Sequence, residues 1–91
     1  MITRTLKNLK EENYSKQSWG NWHLNKKNNT LELFNQNQQY LCQVDLDTLK
    51  DSKLILGMIF YMQNKIDNKK DIYYLISALK DNVGIYGAYI G

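Results

Sequence analysis

Few side chains in this sequence could carry out chemistry. His23 is the only histidine and Cys42 the only cysteine. A thiolate nucleophile needs a base beside it and a third group to orient that base. His23 falls in a short β-prone run next to Trp22. Cys42 falls in another, where strand alternation sets it with Tyr40 and Val44 on a buried face. A free cysteine so placed behaves as a small core hydrophobe. Asp45, Asp47 and Asp51 have the opening spacing of a calcium loop. However, the position that should be a turning glycine is Lys50, and the one that should be a chelating glutamate is Leu56. The free N–H groups and dipole of a following helix account for these acids without a metal. Gly57, Gly84, Gly87 and Gly91 lack the spacing of a phosphate loop. Every carboxylate has a ready role as a cap or a solvated group. The expectation is a protein with no catalytic residues, no metal site and no cofactor.

The elements that would position any site must fit in a small domain. The chain has 91 residues, 43% of them hydrophobic, with no proline and eleven asparagines. That composition suits one globular domain, and its A/T-rich flavour suits a low-GC bacterium or one of its phages. A chain of this size buries only about 60–65% of the surface it exposes when unfolded. The net charge of +3 is uneven, because residues 1–27 hold six basic and two acidic groups while residues 28–91 hold six and seven. The lone cysteine excludes an internal disulfide and fits a reducing compartment. No apolar run follows Arg4, Lys7 and Lys10, so no secretory leader is expected. The longest apolar stretch, residues 54–62, is nine residues where a membrane span needs about 20. The sequence therefore predicts a cytoplasmic protein that does not engage a membrane.

Ile2, Leu6 and Leu9 have helix-like spacing, enough for a weak N-terminal helix within a basic extension over residues 1–20. A single α+β domain over residues 21–91 follows. Trp22 to Leu24, Thr30 to Phe34 and Tyr40 to Val44 alternate as strands, separated by asparagine- and glutamine-rich turns. They predict a three-stranded antiparallel meander. Asp47 or Thr48 can cap a first helix reaching about residue 64, with Leu49, Leu56, Ile59 and Phe60 on its core face. Asn68 opens a second helix, whose Ile72, Leu75, Ile76, Leu79 and Val83 form a clean stripe before a stop at Gly84. The fold expected is α+β, with two helices packed on one face of the meander. The tail, residues 85–91, either docks or adds a strand.

Asn21, Trp22, His23 and Leu24, then Asn29 to Leu33, Tyr40, Val44 to Leu46, Ile59, Phe60, Leu75, Ala78, Leu79 and Asp81 form a pattern over about two-thirds of the chain. It resembles a family of small bacterial proteins of undefined function. The resemblance implies the fold alone. The chain departs from it in two places. Gly57 and Met58 stand where the family tends to have Asp-Trp. Ile66, Asp67 and Asn68 stand where it tends to have a tryptophan.

Two surfaces remain as binding signals. On the first helix, Leu54, Met58 and Tyr61 form a second apolar stripe opposite the core face, which Tyr74 of the next helix would extend. A helix apolar on two sides is either sandwiched within its own fold or offers one side to a partner. The partner would be another protein or a second copy of the chain. The leading expectation is a non-catalytic protein-binding module, such as an anti-CRISPR-like inhibitor carried by a phage or mobile element. The alternative is an accessory protein that binds nucleic acid. It would use Arg4, Lys7, Lys10, Lys16, Lys26 and Lys27 on phosphates, with Tyr14 and Trp19 stacking on bases.

Overall fold

The computed structural model describes residues 13–84. Four strands, β1 (Tyr14–Trp19), β2 (Trp22–Asn25), β3 (Thr30–Phe34) and β4 (Tyr40–Asp45), form one antiparallel sheet in sequential order. A 3-10 turn at Leu46–Thr48 leads to helices α1 (Ser52–Lys65) and α2 (Lys69–Val83). The α+β class and the order of sheet before helices agree with the sequence reading, but the strand count does not. The segment read as part of a basic N-terminal extension contributes β1. The weak helix drawn through Ile2, Leu6 and Leu9 lies outside the described residues, as does the tail.

β1 escaped the sequence reading because Lys16, Gln17 and Ser18 are all exposed and polar, so no apolar alternation marks the strand. The break at Gly20 is a hairpin turn flanked by the paired Trp19 and Trp22. Gly20 has φ +58° at the first turn position, where a II′ hairpin turn calls for glycine. A Cβ there would also collide with the Tyr74 ring. The next turn is built by Asn25, whose Oδ1 accepts from the N–H groups of Lys27 (3.0 Å) and Asn28 (3.2 Å). In the turn after β3, Gln38 takes a left-handed φ of 63°. A register shift follows at the Leu33/Phe34 step.

That shift corrects the reading of β4. Cys42 and Val44 are buried on the helix side, whereas Tyr40 pairs with Phe34 and packs edge-on against its ring at 6.1 Å. The main core joins Trp19, Trp22, Leu31, Leu33, Cys42 and Val44 of the sheet to Ile55, Ile59, Met62, Ile72, Leu75, Ala78 and Leu79 of the helices. Phe34 is buried but lies outside this cluster.

The helices begin and end for local reasons. Asp51, not Asp47 or Thr48, caps α1 by accepting from the Leu54 N–H at 2.9 Å. Asn68 caps α2, and Gly84 closes it in the left-handed conformation. Ile72, Leu75 and Leu79 are buried as the spacing predicts, while Ile76 and Val83 pack at the margin of the core. The core face of α1 is turned relative to the sequence reading. Ile55, Ile59 and Met62 are buried, Leu56 is half-buried and Phe60 is exposed. Leu49 is buried but precedes the helix.

Candidate functional site

Two places gather unusual residues: the sheet face turned away from the helices, and the outward side of α1.

On the first, cross-strand pairing sets His23 and Gln43 on either side of Glu32, and Asn25 opposite Thr30. Glu32 is fully buried. Its carboxylate accepts from the Tyr14 hydroxyl (2.7 Å), the Asn25 amide (3.1 Å) and the Thr30 hydroxyl (3.1 Å). A buried carboxylate is tolerable only when donors replace the water it has lost, and this one is supplied by three strands. His23 packs edge-on against Phe34 at 5.6 Å. Burial lowers its pKa, and the nearby Glu32 charge opposes that shift only in part. Sequence reasoning missed Glu32. Its only signal in the sequence is a carboxylate at the centre of the β-prone run Thr30 to Phe34, every residue of which the structure buries.

This arrangement separates the pair that could have been nucleophile and base. Cys42 pairs with Leu33 on the helix side, while His23 pairs with Glu32 on the other face. Burial also pushes the Cys42 thiol up, away from the reactive thiolate. Asp45, Asp47 and Asp51 are occupied in turns and caps. Asp45 accepts from the Asp47 N–H, Asp47 from the Asn29 amide, and Asp51 from Leu54. Among the described residues no group of three or more His, Cys, Asp or Glu could hold a metal ion. Two open clefts flank the α1–α2 connection. One of about 450 Å³ lies beside Gln63, Ile66, Lys69 and Tyr73, and the other, of about 390 Å³, lies beside Leu41, Cys42, Lys65 and Asp71. The second sets Cys42 in the field of Lys65 and Asp71, whose charges act on the thiol in opposite directions, and neither cleft includes His23.

The second place is apolar. Leu54 is 49% exposed, Phe60 66% and Tyr61 59%. Met58, between Leu54 and Tyr61 in the predicted stripe, is half-buried and packs on the core. Lys65 lies 5.7 Å from the centre of the Tyr61 ring. Gln63 and Ile66 share a cleft with Ile72 and Tyr73, so that flank of α1 faces α2. At about 100° per residue, Leu54 and Tyr61 occupy the flank away from α2 and Phe60 the flank nearer to it. Tyr74 does not extend the stripe, since its ring lies against Gly20 at the β1–β2 turn. Phe60 was assigned to the core from sequence, and Tyr73, also exposed, was not singled out.

The residues proposed for nucleic acid are described only in part. Lys16, Lys26 and Lys27 are exposed, but Trp19 is buried and donates its indole N–H to Asp81 at 2.8 Å. Tyr14 is half-buried, with its hydroxyl given to Glu32. Arg4, Lys7 and Lys10 lie outside the described residues.

No family model, no characterised protein and no solved structure matches this chain. Its function therefore has to be argued from its own surfaces. Among the described residues no helix is long and apolar enough to cross a membrane.

Proposed function

We propose that the protein is a non-catalytic binding module that docks another protein against the outward side of α1. The observation that carries this reading is the exposure of Leu54, Phe60 and Tyr61 on one helix whose opposite side already supplies the core. Small domains need their apolar residues inside. Three large ones left exposed on the outward side of one helix cost solubility. Aromatic side chains are enriched at the centres of protein interfaces. The separation of Cys42 from His23 favours binding over catalysis. An inhibitor of host defence carried by a phage or mobile element, anti-CRISPR-like in working by occupation of a surface, suits this chain's size and composition.

The test compares affinity capture by the wild-type chain with capture by the Phe60→Ser/Tyr61→Ser double variant, each with and without nuclease. The expected outcome is a protein retained by the wild type and lost by the variant, whose circular dichroism is unchanged. Equal retention by both would remove α1 as the docking surface. Retention that requires intact nucleic acid would transfer the function to the exposed lysines.

A further inference from the structure

Gly57 lies in the middle of α1, where glycine costs a helix about 1 kcal/mol relative to alanine. Among the described residues nothing asks for it. Its φ is not among the positive values, and a Cβ at this position would meet nothing within 4 Å. The helix thus carries a destabilising residue that its own packing does not use. The four neighbours of Gly57 on the helix surface, three and four residues away, are Lys53, Leu54, Phe60 and Tyr61, and all four are exposed. The missing side chain therefore leaves a notch whose floor is backbone and whose walls are apolar and aromatic. Helix axes approach more closely where the residue at the crossing is small. The charge one turn from Gly57 is Lys53, and the acid at that end, Asp51, is held as the helix cap by the Leu54 N–H. α1 has Lys53 near its start, Lys65 at its end and no acid between them.

Building on the docking reading above, we infer that the Gly57 notch receives an amphipathic helix of another protein, with an apolar side chain seated between Leu54, Phe60 and Tyr61 and carboxylates beside Lys53 and Lys65. A second copy of this chain is the poorer occupant, because two such faces would gather four lysines around the contact without an acid from either helix.

The experiment uses the full chain labelled with ¹⁵N and two synthetic helical peptides. Both peptides carry a leucine stripe, flanked by glutamates in one and by lysines in the other. The glutamate peptide is expected to shift the amide signals around Gly57 and to bind at least about ten-fold more tightly than the lysine peptide. The gap should narrow as salt rises. Gly57→Gln fills the notch with a better helix former, so it should raise the thermal midpoint yet weaken the glutamate peptide about ten-fold. Equal binding of the two peptides would overturn the acidic partner while leaving the docking reading in place. Unchanged affinity in Gly57→Gln would overturn the notch. Binding of neither peptide at millimolar concentration would overturn the inference, whereas the docking reading falls with equal capture by the Phe60/Tyr61 variant or with capture that nuclease abolishes. A dimer of the wild type that Gly57→Gln dissolves would make a second copy the occupant and overturn the inference as well.

Discussion

The two helices solve the same packing problem in different ways. α2 is tied to the first hairpin by two hydrogen bonds and one ring contact. The Trp22 indole donates to the Asp71 carbonyl at 2.7 Å, the Trp19 indole donates to Asp81 at 2.8 Å, and the Tyr74 ring lies against Gly20. Its outward surface is largely polar, with Lys69, Lys70, Ser77, Lys80 and Asp81 around Tyr73. α1 rests on the core through Ile55, Ile59 and Met62. Among the described residues no side-chain hydrogen bond ties it to the sheet, and its outward surface sets Leu54, Phe60 and Tyr61 among Lys53, Asn64 and Lys65. A helix fixed in rotation and position has a structural task. A helix held by burial alone, with apolar groups left over outside, has surface available for a partner.

Substitutions should separate the two cases. The largest effect is expected from Trp22→Ala, which empties the most buried site beneath α2 and removes the donor to Asp71. It should cost about 3–5 kcal/mol in denaturant unfolding. Ile59→Ala, on the buried side of α1, should cost about 2–4 kcal/mol by the same measurement, since that helix depends on volume alone. Trp19→Phe keeps most of the ring and removes only the hydrogen bond to Asp81, for a loss of about 1 kcal/mol. Tyr61→Ser, on the outward side of α1, should change stability by no more than about 0.5 kcal/mol. A large loss there would make that side part of the core and erase the contrast. The smallest effect concerns Asp71, whose pKa burial raises despite a hydrogen bond from Asn21. The folded state therefore holds this proton more tightly than the unfolded one. The stability this provides is present below the ordinary carboxylate range, near pH 4, and is lost as pH rises through the raised value. Asp71→Asn should gain on the wild type as pH is raised from 4 to 7 in parallel unfolding curves.

The same contrast governs how much of the molecule the sequence disclosed. α2 has one apolar stripe and one polar surface, so its spacing gave both its ends and its buried face. The three strands of the meander were legible because asparagine-rich turns bracket them. β1 was not, because an edge strand with Lys16, Gln17 and Ser18 in solvent has no period to detect. α1 is apolar over most of its circumference, so periodicity identified a helix but could not choose which side is buried. Phe60 was accordingly placed inside, and Ile55 and Met62 were overlooked. Leu54 and Tyr61 were singled out from sequence and are exposed. The link drawn from them to Tyr74 failed because contact with the β1–β2 turn is not written in helix spacing. Glu32 was hidden for a related reason. Its donors come from β1, β2 and β3 itself, and only the assembled register brings Tyr14, Asn25 and Thr30 together.

The sequential strand order has a consequence for the order of events in folding. Each strand pairs with its neighbour in sequence, so the sheet closes through short loops of low entropic cost. β3 lies between two partners, and all five of its residues are buried. Its amides should be the last to exchange with deuterated solvent, and those of the edge strands β1 and β4 the first in the sheet. A chain whose slowest-exchanging residues are central and contiguous can release and re-form its outer layer many times for each global unfolding. That leaves α1 free to adjust to whatever lies against it without risk to the sheet beneath.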